Sequence, residues 1–271
     1  MKTTPVPTPS EDRFGSSATN RSLERGILIL RAFRPGSSWL GNGDLAERTG
    51  LSPSTISRLT QTLVGAGLLQ HDRQRRAYRL APPVLSFAHA MRAGSQVLAV
   101  AAPRMRALAE SQRVNVGLAA PDNDEMVYLE SIRYNRRVAL RNVVSGQRVP
   151  MELTSLGRAY LSTLPAARRK ALFAVFERRC GSHWDGVHAG IQAALREVQE
   201  RGFCAASWQP EVVAMAMPLA TPEGIYVLNI SVSTEEPLPR VVDELSGALL
   251  TLASELRDAL ARDTDLLPAS R

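Results

Sequence analysis

Residues 44–63 constrain the fold of this chain more than any other stretch, because they have the pattern of two short helices joined by a tight turn. Gly50 can end the first helix, since a residue just past a helix end often needs a positive φ, which glycine adopts without steric cost. Ser52 can cap the second helix, and Pro53 suits its first position. The apolar residues of that second helix recur at helical spacing and are Ile56, Leu59 and Leu63. The stretch therefore predicts a helix-turn-helix.

The outward face of the second helix has a composition suited to nucleic acid. It carries short hydroxyls, one guanidinium and one amide, on Ser54, Thr55, Ser57, Arg58 and Gln61. Such groups hydrogen-bond to phosphates and to base edges in the major groove. No Asp or Glu occurs between residues 51 and 69, whereas an ordinary surface helix is usually rich in Glu and Lys. We expect Thr55 and Arg58 to make the principal contacts in the groove. Gln61 taken alone could equally be a solvated polar side chain.

Positive charge is concentrated around this motif. The chain has a formal net charge of +7, and residues 21–80 hold ten Arg against four Asp and Glu. Strand-like runs at residues 68–71 and 78–80 follow the second helix and predict a two-stranded wing. Its turn carries three arginines, Arg73, Arg75 and Arg76. These arginines are expected to lie along a phosphate backbone. The alternative is a solvated charged hairpin.

The remaining composition favours a cytoplasmic protein without a metal or other cofactor. The two cysteines, Cys180 and Cys204, lack the spacing of a metal cluster or of a disulfide framework. Residues 182–188 contain two His and one Asp, but no fourth ligand is evident, so a loop leading into a helix is expected there. Residues 1–20 have no apolar run and predict a disordered tail rather than a secretory signal. No stretch is long and apolar enough for a membrane span, so no membrane partner is expected.

The domain organisation follows from these patterns. Residues 21–81 are expected to form a winged helix-turn-helix domain whose first helix is capped by Ser22, and residues 82–94 a linker helix. In residues 95–271 the predicted strands are 114–120, 126–132, 138–144, 212–218 and 225–233. The predicted helices of that region are 96–111, 155–163, 166–179, 187–201 and 240–261. An antiparallel sheet flanked by helices is an α+β architecture, with room for a small-molecule pocket on one face.

Enzyme signatures are missing from the sequence. It contains no nucleophile elbow, no Walker-type glycine loop and no dinucleotide-binding fingerprint. Cys204 is the only candidate for a reactive group. The sequence therefore predicts that the chain is not an enzyme. A winged helix that binds a protein partner instead of DNA, and an effector domain with catalytic activity, remain the alternatives.

Six segments resemble, in order, the isocitrate lyase regulator (IclR) family of bacterial transcription factors. They are residues 22–30, 45–69, 77–85, 150–161, 200–204 and 228–233. The resemblance implies a winged helix-turn-helix joined by a linker helix to a GAF-like effector-binding domain. It also implies a dimer or dimer of dimers that binds operator DNA. Such regulators repress or activate nearby operons in response to small metabolites, often carboxylic or aromatic.

The resemblance also implies an effector site. In the family the pocket is lined partly by the helix start that here comprises Thr154, Ser155, Leu156 and Gly157. A helix N-terminus offers free N–H groups to a carboxylate, and Gly157 would let a ligand approach the backbone. Thr154 could equally be only the cap of this helix. Two serines of the last strand also match the family pattern, Ser231 and Ser233; they could equally face solvent.

One segment departs from the family pattern. Between residues 203 and 218 many relatives carry an acidic residue and then a cysteine, but the corresponding positions here are Ala206 and Ala214. The pocket would thus lose polar contacts and gain Trp208, Met215 and Met217, which predicts a more apolar or aromatic effector. The alternative is that both methionines are ordinary core residues.

Overall fold

The computed structural model describes residues 20–134, 144–209 and 211–265. Nearly all of the predicted tail at 1–20, and most of the predicted strand at 138–144, lie outside the described residues. The chain divides between Gly94 and Ser95 into two compact units. Its architecture is α+β, as predicted.

The N-terminal unit is a helix-turn-helix with a small sheet. Its elements are α1 (Arg21–Arg31), β1 (Leu40–Gly41), α2 (Asn42–Thr49), α3 (Pro53–Gly65), β2 (Leu69–Asp72), β3 (Ala77–Leu80) and α4 (Pro83–Ala93). The three strands are antiparallel in the order β1-β3-β2. The two-residue strand β1 was not predicted, because so short an element has no periodicity. Ile29, Leu45 and Ile56 are fully buried at the centre of the unit.

The cap of α1 differs from the prediction. Asn20, not Ser22, is the N-cap: its Oδ1 accepts hydrogen bonds of 3.1 Å from the backbone N–H groups of both Ser22 and Leu23. Asparagine caps a helix as well as serine does. Ser22 therefore lies within the first turn of the helix.

The C-terminal unit is built on one six-stranded antiparallel sheet. Its elements are α5 (Gln96–Gln112), β4 (Asn115–Asp122), β5 (Glu125–Ile132), β6 (Arg148–Pro150), α6 (Ser155–Ser162), α7 (Ala166–Cys180), α8 (Trp184–Arg201), β7 (Cys204–Gln209), β8 (Val212–Thr221), β9 (Gly224–Ser233) and α9 (Leu238–Asp265). The strand order is β6-β5-β4-β9-β8-β7. Strand β7 was not predicted, because its Ala-Ala-Ser run has little intrinsic strand preference.

This sheet has a separate core on each face. One core combines strand side chains with α5 and α9, and Leu228 belongs to it. The other combines strand side chains with α6, α7 and α8, and Val227 belongs to that one. Successive side chains of a strand point to opposite faces, so residues of β9 alternate between the two cores. Within the described part of the chain, no helix is long and apolar enough to cross a membrane.

Candidate nucleic-acid and effector sites

The turn between α2 and α3 has the predicted geometry. Gly50 ends α2 with φ 68°, in the left-handed region. Ser52 is the N-cap of α3, where its Oγ accepts a 3.4 Å hydrogen bond from the backbone N–H of Thr55. The same Oγ lies 2.9 Å from Thr55 Oγ1 and 3.2 Å from Ser54 Oγ. This network of hydroxyls fixes the start of α3.

Helix α3 has one buried face and one exposed face. The predicted stripe Ile56, Leu59 and Leu63 is buried. Thr60 is buried as well, and its hydroxyl donates to the Ile56 carbonyl at 2.9 Å. On the other face Ser54, Arg58 and Gln61 are exposed, whereas Thr55 and Ser57 are half-buried. The structure thus brings the predicted contact residues to one surface.

The wing arginines lie on an ordered hairpin turn. Asp72 Oδ1 accepts hydrogen bonds from the backbone N–H groups of Gln74 and Arg75, at 2.9 and 3.0 Å. The hydrogen bond from Arg75 is the main reason that the pKa of the Asp72 carboxyl lies below its usual value. Arg76 has a positive φ of 51°. The turn therefore presents exposed side chains at its tip, those of Arg73, Arg75 and Arg76.

The sequence analysis missed Arg79 of the wing and Trp39, which supports it. The guanidinium carbons of Arg75 and Arg79 lie 5.4 and 5.0 Å from the centre of the Trp39 ring. Arg79 Nε also donates a 2.7 Å hydrogen bond to Gln70 Oε1. A guanidinium stacked on an aromatic face keeps donors at its edge for a phosphate. The sequence does not reveal this contact, because Trp39 comes close to Arg79 only when β1 pairs with β3.

In the C-terminal unit, Thr154 is the N-cap of α6. Its Oγ1 accepts from the Gly157 backbone N–H at 3.2 Å and donates to the Pro150 carbonyl at 2.7 Å. Both roles of its hydroxyl are therefore used within the chain. Ser155 and Leu156 follow at the first two helical positions, where backbone N–H groups have no acceptor inside the helix.

Gly157, which the resemblance assigns to ligand approach, has a packing role in the structure. A Cβ at this position would overlap the backbone of Met151. The residue is buried against that crossing segment. Glycine is thus required here by the close approach of two stretches of backbone.

The sheet face beneath α6 is lined by small side chains. Cys204 of β7 belongs to the core that contains α6, and its thiol lies 3.5 Å from the Ser155 carbonyl oxygen. Ala216 pairs with Cys204 on one side and with Asn229 on the other, and Asn229 pairs in turn with Gly117. These four residues form a row across four strands, which we name the Cys204–Gly117 row.

The next row on the same face lies two residues further toward the end of β9. It comprises Ala206, Ala214, Ser231 and Asn115. Ser231 and Asn115 are half-buried, and Ser233, beyond them on the same face, is exposed. The face under α6 therefore opens toward solvent in the direction of Ser233.

The two methionines that the sequence analysis assigned to the effector site lie on the face of the sheet opposite α6. Met215 and Met217 are buried in the core formed with α5 and α9. They alternate along β8 with Ala214 and Ala216, which face α6. Trp208 belongs to β7, but its side chain lies outside the described part of the structure.

Asn229 is a polar residue of the Cys204–Gly117 row that sequence reasoning did not single out. Its side chain is 3 % exposed. It lies over Gly117 and beside the ring of Tyr128. Burial raises the pKa of the Tyr128 hydroxyl above its usual value, and a side-chain hydrogen bond with Asn229 offsets part of that rise. Strand alternation could have placed Asn229 on the same face as Ser231, but it could not have shown that Asn229 lies beside Tyr128.

Of the residues considered for metal binding or catalysis, Cys204 is buried in the core and His188 packs against aromatic side chains, whereas His183 and Asp185 are exposed. His188 packs edge-on against Phe173 and beside Trp184, and its Nε2 lies 3.1 Å from Gln192 Nε2. The described residues include no group of three or more His, Cys, Asp or Glu side chains suited to a metal ion. Burial raises the pKa of the Cys204 thiol to about 12.

Comparisons with known proteins agree with this architecture over most of the chain. Residues 22–73 match the model of the IclR helix-turn-helix domain. Residues 89–258 match the model described as bacterial transcriptional regulator IclR C-terminal.

Individual relatives cover nearly the whole chain. The regulator TsaQ1/TsaQ2 of Comamonas testosteroni is 28% identical over 94% of this chain and 93% of its own. The crystal structure of an IclR family regulator from Brucella abortus is 30% identical, covers 90% of this chain and 93% of its own, and has a TM-score of 0.81. An IclR homologue from Microbacterium hydrocarbonoxydans, solved as a complex with 4-hydroxybenzoate, is 21% identical with a TM-score of 0.65, covering 88% of this chain and 99% of its own. The chain belongs to the IclR family of bacterial transcriptional regulators.

Proposed function

We propose that this regulator binds a two-fold symmetric operator as a homodimer or a dimer of dimers. The exposed face of α3 enters the major groove, where Thr55 and Arg58 make the principal contacts and Ser54, Ser57 and Gln61 support them. The observation that carries this proposal is the acid-free surface of α3, held by the Ser52 cap. The wing arginines then lie along the adjacent phosphates and supply salt-dependent affinity.

Dimerisation is supported by the small DNA-contacting surface of a single recognition helix and by the exposed apolar side chains of α4. One short recognition helix contacts few base pairs, and a two-fold pair doubles the site. Within its own unit α4 buries no residue, and it exposes Leu85 at 74% and Phe87 at 63%. Exposed apolar side chains on one helix favour contact with a second copy. Residues 82–94 are therefore assigned to a linker helix that pairs in the dimer.

The effector is a small carboxylate, most favourably an aromatic one, bound on the α6 face of the GAF-like domain. Its carboxylate would accept from the backbone N–H groups at the start of α6, at Ser155 and Leu156. Its body would lie over the row of small side chains that leads to Ser231 and Ser233, which would contact it through their hydroxyls. The Microbacterium relative, which was crystallised with an aromatic acid, supports this ligand class.

The test is a footprint on the DNA that flanks the gene, at two salt concentrations. Wild type should protect a roughly palindromic site, and Arg58→Ala should weaken binding there by about 1–3 kcal/mol if Arg58 contacts a guanine edge. Arg106→Ala is the matched control, because Arg106 is an exposed arginine of the C-terminal unit. Salt-sensitive smearing without a protected site, with and without candidate acids, would contradict an operator at this locus. Equal affinity of folded Arg58→Ala and wild type would remove Arg58 from the contact surface.

A further inference from the structure

We propose that Thr55 recognises a thymine in each operator half-site through its Cγ2 methyl group, which contacts the C5-methyl group of the base. The inference rests on the proposed function, in which the exposed face of α3 enters the major groove. It goes further because it names the base that Thr55 reads and the part of the side chain that reads it. The competing role is a hydrogen bond from the Thr55 hydroxyl to DNA.

The first argument is the position of the Thr55 hydroxyl. Ser52 is the N-cap of α3, and its Oγ lies 2.9 Å from Thr55 Oγ1. The same Oγ accepts a 3.4 Å hydrogen bond from the backbone N–H of Thr55. Thr55 is the third residue of α3, a position from which a side chain can reach back to the cap residue. Its hydroxyl is therefore hydrogen-bonded within the chain, at the start of the helix.

The second argument is the branching of the side chain. The Cβ atom of threonine carries one hydroxyl and one methyl group, and the two occupy different staggered positions. Because Ser52 holds the hydroxyl, the methyl group is the part of Thr55 that remains for a contact with DNA. Thr55 is half-buried, which agrees with a side chain that has one branch against the helix start and the other exposed.

The third argument is the chemistry of the neighbouring side chains on the exposed face of α3. The other four residues assigned to the groove end in hydrogen-bonding groups, and they are Ser54, Ser57, Arg58 and Gln61. Thr55 is the member of this set that carries a methyl group. Thymine is the base that presents a methyl group in the major groove, where the threonine methyl can contact it. Thr55 is therefore suited to a feature of the groove that the other four residues do not match.

The expected size of the effect follows from the apolar surface that the contact buries. Burial of one methyl-sized group is worth about 0.8 kcal/mol, which corresponds to about fourfold in affinity. Uracil differs from thymine only in lacking the C5-methyl group, and it forms the same base pair with adenine. Replacement of thymine by uracil thus removes the apolar contact and keeps every hydrogen-bonding group of the base.

The experiment uses binding sites that the full chain selects from a pool of random-sequence DNA. Thymines of the selected site are replaced by uracil one position at a time, and affinity is measured by fluorescence anisotropy. Wild type should lose about fourfold in affinity at one position in each half-site. Thr55→Val keeps a methyl group and lacks the hydroxyl, so it should show the same loss. Thr55→Ser keeps the hydroxyl and lacks the methyl group, so it should bind thymine and uracil sites equally.

Thr49→Ser is the matched control, because it makes the same chemical change outside α3. Thr49 is the last residue of α2, and its hydroxyl donates to the Leu45 carbonyl at 2.6 Å. This variant should keep the wild-type loss with uracil. Both Thr55 variants retain the backbone N–H that Ser52 accepts, so both should fold, which thermal unfolding would verify.

The outcomes separate this inference from the proposed function. A selected palindromic site at which no uracil weakens wild-type binding would overturn the methyl contact and leave the operator-binding function intact. A uracil effect that persists in Thr55→Ser would assign the thymine to another residue. Loss of affinity in folded Thr55→Val but not in Thr55→Ser would show that the hydroxyl makes the contact instead. If no sequence is selected, sequence-specific binding and this inference both fail.

Discussion

Arg79 stacks on Trp39, with its guanidinium carbon 5.0 Å from the centre of the indole ring. Arg75 lies over the same ring at 5.4 Å. A cation over an aromatic ring is stabilised by about 0.5–1 kcal/mol at an exposed site. Trp39 therefore orders two arginines of the wing before DNA arrives, which reduces the entropy lost on binding.

Replacement of Trp39 should weaken DNA binding although Trp39 itself needs no contact with DNA. We expect Trp39→Leu to lose about 0.5–1 kcal/mol for each arginine that it releases, measured by fluorescence anisotropy with a labelled operator. Trp39→Phe retains an aromatic face and should keep most of the affinity. Wild-type affinity in a folded Trp39→Leu protein would show that the stacking does not contribute.

Replacement of Arg76 by glycine should not lower the stability of the protein, but it should reduce the salt dependence of DNA binding. Its φ of 51° is unfavourable for a residue with a side chain and costs glycine nothing. Arg76→Gly should therefore unfold at the wild-type temperature or above. If Arg76 contacts a phosphate, the slope of log affinity against log salt should decrease by about one unit. An unchanged slope would place this side chain away from the DNA.

Gly157→Ala should destabilise the protein, because the added methyl group would overlap the backbone of Met151. Overpacking of this kind costs about 1–3 kcal/mol, which urea denaturation would measure. Gly186→Ala is the matched control: Gly186 is exposed within α8 and has no heavy atom within 4 Å of its would-be Cβ. That substitution should instead stabilise the helix by about 0.5–1 kcal/mol. Equal stability of Gly157→Ala and wild type would indicate that α6 can shift away from Met151.

Cys204 should resist alkylation in the native protein. IclR regulators are not enzymes, and a thiol with a pKa of about 12 has little thiolate at pH 8. Iodoacetamide followed by mass spectrometry should modify half-buried Cys180 first and Cys204 only after unfolding. The folded pKa exceeds that of the unfolded thiol, so the unfolded chain loses its proton first. This group therefore makes stability fall as pH rises from about 9 toward 12. Rapid modification of native Cys204 would contradict its burial.

The sequence by itself determined the recognition unit, because its signals are local. Gly50, Ser52 and Pro53 act on their own neighbours, and the buried stripe of α3 follows from helical spacing within one segment. Ser22 and Asn20 show the limit of this reasoning: two capping residues lay within one turn, and the sequence did not distinguish them.

Only the tertiary structure decided which side chains share the α6 face of the sheet and which residues support the wing. Alternation along β8 is visible in the sequence, and it shows that Met215 and Met217 share a face, but not which helices cover that face. The contact of Trp39 with Arg79 and the position of Asn229 beside Tyr128 likewise depend on strands brought together from distant parts of the chain. Local geometry is set by a few neighbouring dihedral angles. The register of the strands, and the helices that cover each face, are set by burial of the whole sheet.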